Sequence, residues 1–332
     1  MPSFRNTKRA SIPALIAGAV VSLSGCGGSG LSGATPAAAA AHWQVSVGAD
    51  RDDHALQALN FFTSTITIDA GDSITWTVEA SEHTVAFLRR GQSPFTAPLK
   101  PAGGSTEDGT EFTSSGILFA GDSYALTFPK PGTYTYHCLL HAPEMFGKVI
   151  VQRAGAAYPR SQAYYSNLGR STANAELAAA QAAVLLFPYT PGGPKLTAGI
   201  SPGLAKGPPT NSTVYRFLDS GNQNVEATTT ISVGTTVRWV NQTNNEPHTV
   251  TFPVAGKPLP PRIANNPFSP PTGGPTYDGT ALTNSGPIGS NVGAAGHSYP
   301  NAYSLTFTKP GRYVYDCLFH DNFGMESTII VK

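Results

Sequence analysis

The segment from Ser123 to His141 (SYALTFPKPGTYTYHCLLH) matches Ala302 to His320 (AYSLTFTKPGRYVYDCLFH) at 12 of 19 positions. Upstream, Asp108-Gly109-Thr110 with Ser115-Gly116 returns as Asp278-Gly279-Thr280 with Ser285-Gly286. Ile68, Gly71 and Ile74-Thr75-Trp76 return as Ile231, Gly234 and Val237-Arg238-Trp239, and His83-Thr84-Val85 as His248-Thr249-Val250. The motifs keep one order in both halves, so the 332-residue chain is a tandem duplication and must build one kind of domain twice. The spacing between matched motifs widens along the chain. The second copy therefore has longer loops, mostly Gly- and Pro-rich insertions between Pro287 and Ala302.

Each copy reads as short strands. Thr65–Ile68 and Ile74–Val78 alternate in polarity around the Ala70-Gly71-Asp72 turn. Leu126–Phe128 and Tyr134–Tyr136 do the same around Lys130-Pro131-Gly132. Lys148–Val151 and Thr328–Val331 close the copies as terminal strands. Only 12% of residues are charged, whereas Gly (35) and Pro (28) abound, which disfavours helical bundles and favours turn-rich sheets. The expectation is an all-β chain of two β-sandwiches, domain one at 42–153 and domain two at 211–332. Between them, 154–210 is a connector in which Ala-rich Ala173–Leu186 predicts a helix and Pro188–Pro209 predicts irregular chain.

Arg5, Lys8 and Arg9 precede an apolar run, Ile12–Leu23, which is short for a bilayer span and long enough for a signal-peptide apolar region. It ends in Leu23-Ser24-Gly25-Cys26, which resembles a bacterial lipobox. The resemblance implies a lipoprotein signal at 1–25, lipid on Cys26 and a flexible tether at 26–41. The protein would then be exported, periplasmic or otherwise extracytoplasmic, and held to the membrane by that lipid alone. The alternative is an ordinary secretory signal, with Cys26 discarded or idle. The formal charge of +1 gives no clustered basicity for nucleic acid.

There are three Cys and three Met. Apart from Met1 and Cys26, sulfur occurs only as Cys138 with Met145 and as Cys317 with Met325, in equivalent places. The first copy offers His83, Cys138, His141 and Met145; the second offers His248, Cys317, His320 and Met325. Two imidazoles, a thiolate and a thioether are the donor set of a blue-copper electron-transfer site. Thiolate and thioether favour Cu(I), imidazole suits both oxidation states, and the compromise keeps rearrangement small when an electron moves. In each copy a strand ends at Cys, a short loop presents His and Met, and the chain re-enters a strand. A Cys138–Cys317 disulfide or a zinc site are alternatives, but the first leaves His and Met unexplained and thioether suits zinc poorly. One copy could also be purely structural. His42 and His54 are expected at the solvated periphery, His297 in an insertion, and His137 pointing away from the metal by strand alternation.

Both copies resemble cupredoxins of the plastocyanin–amicyanin–pseudoazurin group. Tyr136-His137-Cys138 through Met145-Phe146-Gly147-Lys148-Val149 is similar to the amicyanin ligand loop, one residue longer between His and Met. The second loop, with two residues between Cys317 and His320 and four before Met325, is plastocyanin-like. The resemblance covers about two-thirds of the chain. It implies Greek-key sandwiches, two copper ions per chain on the eight residues named, and an electron carrier serving redox proteins of the cell envelope. The rival is a two-domain copper oxidoreductase. A laccase-like cluster draws on His-x-His pairs, which the eight His here do not form. A nitrite-reductase-like site would use His137, yet Thr84-Val85-Ala86-Phe87-Leu88 supplies no acid or His.

Overall fold

The computed structural model describes residues 39–51, 54–185, 195–200, 212–218, 228–243, 246–259, 269–289 and 299–332, within one unit spanning Ala38–Lys332. Cys26, its apolar leader and His297 lie outside the described residues.

The first copy opens with β1 (His42–Asp50), β2 (Leu56–Phe62), β3 (Thr65–Asp69), β4 (Ser73–Val78), β5 (Glu82–His83) and β6 (Ala86–Phe87). It continues through β7 (Pro101–Ala102), β8 (Thr113–Ser115), β9 (Leu118–Phe119), β10 (Ser123–Thr127), β11 (Gly132–His137) and β12 (Phe146–Gln152). Helix α1 (Gln162–Leu185) and β13 (Lys195–Ile200) follow. The second copy then runs β14 (Ser212–Leu218), β15 (Thr228–Ile231), β16 (Thr236–Gln242), β17 (Thr251–Phe252) and β18 (Thr276–Tyr277). It closes with β19 (Thr283–Asn284), β20 (Ala302–Phe307), β21 (Gly311–Asp316) and β22 (Glu326–Val331).

Alternation sets the sandwich. In β4, Ile74, Trp76 and Val78 are buried while Ser73, Thr75 and Thr77 are half-exposed. Trp76 meets Phe87 and Tyr136 with ring centroids 5.9 and 5.3 Å away. Trp239 repeats the pairing with Phe252 and Tyr315 at 5.8 and 5.4 Å. Such edge-on aromatic contacts each add about 0.5–1.5 kcal/mol beyond burial, and here they define two equivalent cores.

One face of both sandwiches is shared. A nine-stranded sheet runs β10-β4-β1-β2-β14-β13-β16-β20-β18, with β2 and β14 antiparallel at its centre. Outward from that centre the elements correspond: β1 is parallel to β4 and antiparallel to β2, as β13 is to β16 and β14. Each copy then supplies its own opposing sheet, β3-β12-β11-β6-β8-β7 in the first and β15-β22-β21-β17-β19 in the second. The all-β class with two sandwiches and one connecting helix is what the structure shows.

The stretch 154–210 is more ordered than its composition suggests. β13 lies inside it and takes the sheet position of β1, so the second sandwich draws its first strand from before residue 211. The helix also begins eleven residues before Ala173, at Gln162. Ser161 caps it by accepting the Tyr164 amide at 3.3 Å, and the Gln162 side chain exchanges two hydrogen bonds with the Gln44 backbone at 2.9 and 3.0 Å. Tertiary anchoring thus extends a helix through Tyr164-Tyr165-Ser166-Asn167, a run with weak intrinsic propensity. The helix lies across both copies, with Ala173 and Leu177 on Ala58 and Phe62, and Ala180 beside Leu56, Val214 and Leu218.

Candidate metal centres

Each Cys follows the last residue of a strand that pairs with the copy's terminal strand, which brings the ends of the ligand loop together. The Cys138 amide donates to the Met145 carbonyl at 3.0 Å and the Met145 amide to the His141 carbonyl at 3.0 Å. Cys317 and Met325 repeat both bonds at 3.1 and 3.2 Å, and a 3-10 turn at Asp321–Phe323 takes up the extra residue. The remaining His arrives from across the sandwich, His83 on β5 and His248 bridged to Ile288.

Three donor atoms converge in each copy. In the first, Cys138 Sγ lies 3.3 Å from His141 Nδ1 and 3.7 Å from His83 Nδ1, and the two nitrogens are 3.2 Å apart. In the second, the corresponding separations for Cys317, His320 and His248 are 3.4, 3.6 and 3.1 Å. The centre of such a triangle lies about 2 Å from each corner, a metal–ligand distance for nitrogen and close to one for sulfur. All six residues are buried, and these are the two groupings among the described residues able to hold a metal ion. Met145 and Met325 are buried in the same core clusters as Cys138 and Cys317.

Burial penalises every charged form in these pockets. It pushes the Cys138 thiol up to about 11 and the Cys317 thiol up to about 12. It takes the His141 and His248 imidazoles down to about 3. His83 falls well below its ordinary value through burial and then through the His141 charge. Imidazole nitrogens converging on one point, beside a thiol that a cation would deprotonate, suit a soft metal ion. Backbone amides of Thr84 and Thr249 reach the sulfurs at 3.4 Å, and the hydroxyls of the same residues accept the Leu139 and Leu318 amides at 2.7 and 2.8 Å. These bonds fix sulfur and loop together. At Gly48 (φ +70), in a bulge of β1, an added Cβ would sit 2.5 Å from His83 Nε2, so only glycine leaves room for that ring.

Cys138 and Cys317 are both free thiols, which removes the disulfide alternative. His42 is exposed and bonds Ser73 and Thr75; His54 is exposed and pairs with Asp50. His137 is outside the cluster, half-buried against Phe146.

The model of copper-binding proteins of the plastocyanin/azurin family matches residues 46–152 and again 223–332. The chain belongs to this family. Each of its two domains carries one His–Cys–His cluster with a Met, one copper per domain. Chloroplastic plastocyanin of Tetradesmus obliquus is 37% identical over 111 residues, 32% of this chain and 66% of that protein. Amicyanin-alpha of Methylorubrum extorquens is 34% identical over 95 residues, 28% of this chain and 66% of the relative. Amicyanin of Paracoccus denitrificans is 30% identical over 97 residues, 28% and 60%. The chain thus spans just under two-thirds of these relatives' length. Among solved structures, the Cu(I) form of an amicyanin mutant is similar at 25% identity, covering 33% of this chain and 82% of that one with a TM-score of 0.24.

Two residues that matter to these plastocyanin/azurin-type sites carry no signal in the repeat. Glu246 is buried where the copies meet, with Oε1 3.5 Å from His141 Nε2 and Oε2 3.7 Å from His320 Nε2. Burial pushes its carboxyl up to about 8, against the pull of a hydrogen bond with Tyr215. The Tyr215 ring stacks on His320, centroids 3.9 Å apart and planes 12° apart. A lone acid in the run Asn244-Asn245-Glu246-Pro247 looks like loop polarity until the first domain is set beside it.

Proposed function

We propose that the chain is an electron carrier with two type 1 copper sites, exported and tethered through Cys26, serving redox proteins of the cell envelope. One observation carries the reading: a buried triangle of one sulfur and two Nδ1 atoms, present twice, each closed by a loop that ends in a buried Met. His83, Cys138, His141 and Met145 would hold one ion; His248, Cys317, His320 and Met325 the other. Bound copper supplies a one-electron couple. The protein supplies rigidity. Backbone staples at both ends of each ligand loop and amides on both sulfurs resist rearrangement, and the close-packed aromatic core excludes water.

The experiment is one purification. The copper-loaded chain should hold two copper ions, absorb strongly in the visible, and lack oxidase and nitrite reductase activity. Additional non-blue copper, or turnover of oxygen or nitrite, would favour the two-domain oxidoreductase. For the location, Cys26→Ser should release the protein from the membrane fraction or leave its precursor unprocessed. A lipid-free mature N-terminus well downstream of Cys26 would rule the tether out.

A further inference from the structure

We infer that Glu246 couples the two clusters, so that each copper site's immediate electron partner is the other site of the same chain. The inference rests on the copper reading above and adds a route. In both copies the loop histidine turns Nδ1 toward Cys Sγ and the other His, which leaves Nε2 facing outward. Both rings and the acid are largely buried: His141 is 5% exposed, His320 is 6% and Glu246 is 4%. The two rings face opposite oxygens of one carboxylate, at 3.5 and 3.7 Å.

The surroundings hold this bridge in place. Tyr215, which hydrogen-bonds Glu246 and stacks on His320, stands on β14, the strand bonded to β2 of the first domain. Its backbone amide donates to the Ala55 carbonyl at 2.7 Å, and its side chain also bonds Ser81. Ser81 stands two residues before His83, as Glu246 stands two before His248. The repeat therefore supplies one carboxyl group between the two rings, with Glu144 of the first copy near enough to raise it further. The step balances without any other reagent. With copper bound, one electron would pass from the reduced site to the oxidised one, leaving the first as Cu(II) and the second as Cu(I). No bond forms or breaks, and the Nε2 protons stay where they are.

The test uses the copper-loaded chain with Cys26→Ser, and with Met325→Gln to give the second site a distinct spectrum. A ruthenium photoreductant is attached at Thr133→Cys in one sample and at the matching exposed position, Arg312→Cys, in another. After a flash, the labelled domain should bleach first. It should then recover as the other bleaches, at a rate independent of protein concentration, in whichever sample injects on the uphill side. Glu246→Ala should slow that phase by an order of magnitude or more, and Glu246→Gln, which keeps the packing, by less, with both absorption bands unchanged. A second phase proportional to protein concentration, or an unaltered rate in Glu246→Ala, would overturn the coupling while leaving the copper assignment intact. Colourless protein would instead overturn the copper reading. Nitrogen-15 NMR of the metal-free chain gives an independent check. The Nε2 protons of His141 and His320 should resist exchange, and both should shift in Glu246→Gln; rapid exchange in the unsubstituted chain would also overturn the coupling.

Discussion

Cys138 and Cys317 each supply the sole sulfur anion of their cluster, so the intense visible band of each site depends on one side chain. Cys138→Ser and Cys317→Ser should each remove about half the absorption and one copper, since thiolate softness is what the pocket offers copper. The double variant should be colourless and still folded, as circular dichroism would show, because the aromatic cores form without the ions. Gly48→Ala is a sharper probe. Its Cβ would collide with His83 and its φ of +70 is strained for alanine, so a loss of about 1–3 kcal/mol is expected. Copper should be lost from the first site alone, which metal analysis in the Cys317→Ser background would read. The His and Cys of both triangles were legible because chemistry repeats with sequence. Glu246 and Tyr215 were not, because their roles arise from the other copy: β2 carries Leu59 in the matching place, and nothing in a local pattern separates an interfacial Tyr from a core one.

Helix α1 is the element whose extent the sequence understated. Alanines marked its C-terminal half, whereas its start depends on Gln162 and Tyr165 finding partners in β1 and β3. At Gly169 an added Cβ would come within 2.9 Å of the Phe62 carbonyl carbon, so the helix lies directly on β2. Leu177→Ala should cost about 2–4 kcal/mol in urea denaturation, because its pocket against Phe62 is walled by both helix and sheet. Glu176 is buried in the same contact, bonded by Asn60 at 3.0 Å, and burial pushes its carboxyl up to about 7. A raised carboxyl means the folded chain holds a proton that the unfolded chain has released. Stability from this group is therefore full below about pH 4.5 and falls as pH rises through about 7, by up to about 3 kcal/mol. Glu176→Gln should remove that dependence and leave the metal-free protein more stable than its parent near pH 8; equal pH profiles would contradict the assignment.

Across the whole molecule the two sites differ in surrounding charge. Lys130 is paired with Asp108 at 2.7 Å and Lys309 with Asp278 at 3.0 Å, which removes the same charge from each copy. Glu144 and Lys148 then cancel in the first, while Arg312 is outnumbered by Asp316, Asp321 and Glu326 in the second. Negative charge favours Cu(II), so the second site should have the lower potential, by something on the order of 100 mV before screening. Spectroelectrochemical titration of the two single-Cys variants would decide it, and a lower value in the first domain would contradict it. The duplication and both sandwiches were readable from the repeat; their merger was not, since β2 and β14 pair through Ala58 with Ser212 and Leu56 with Val214, residues that would suit many neighbours. That merger also has a consequence for solubility. Each copy alone would end its sheet on a bare strand rich in apolar residues, with unpaired amides and carbonyls ready to recruit a third party. Joined, each strand blunts the other. A fragment carrying one copy should therefore dimerise or precipitate where the full chain stays monodisperse, and the duplication serves as a built-in guard against edge-to-edge aggregation.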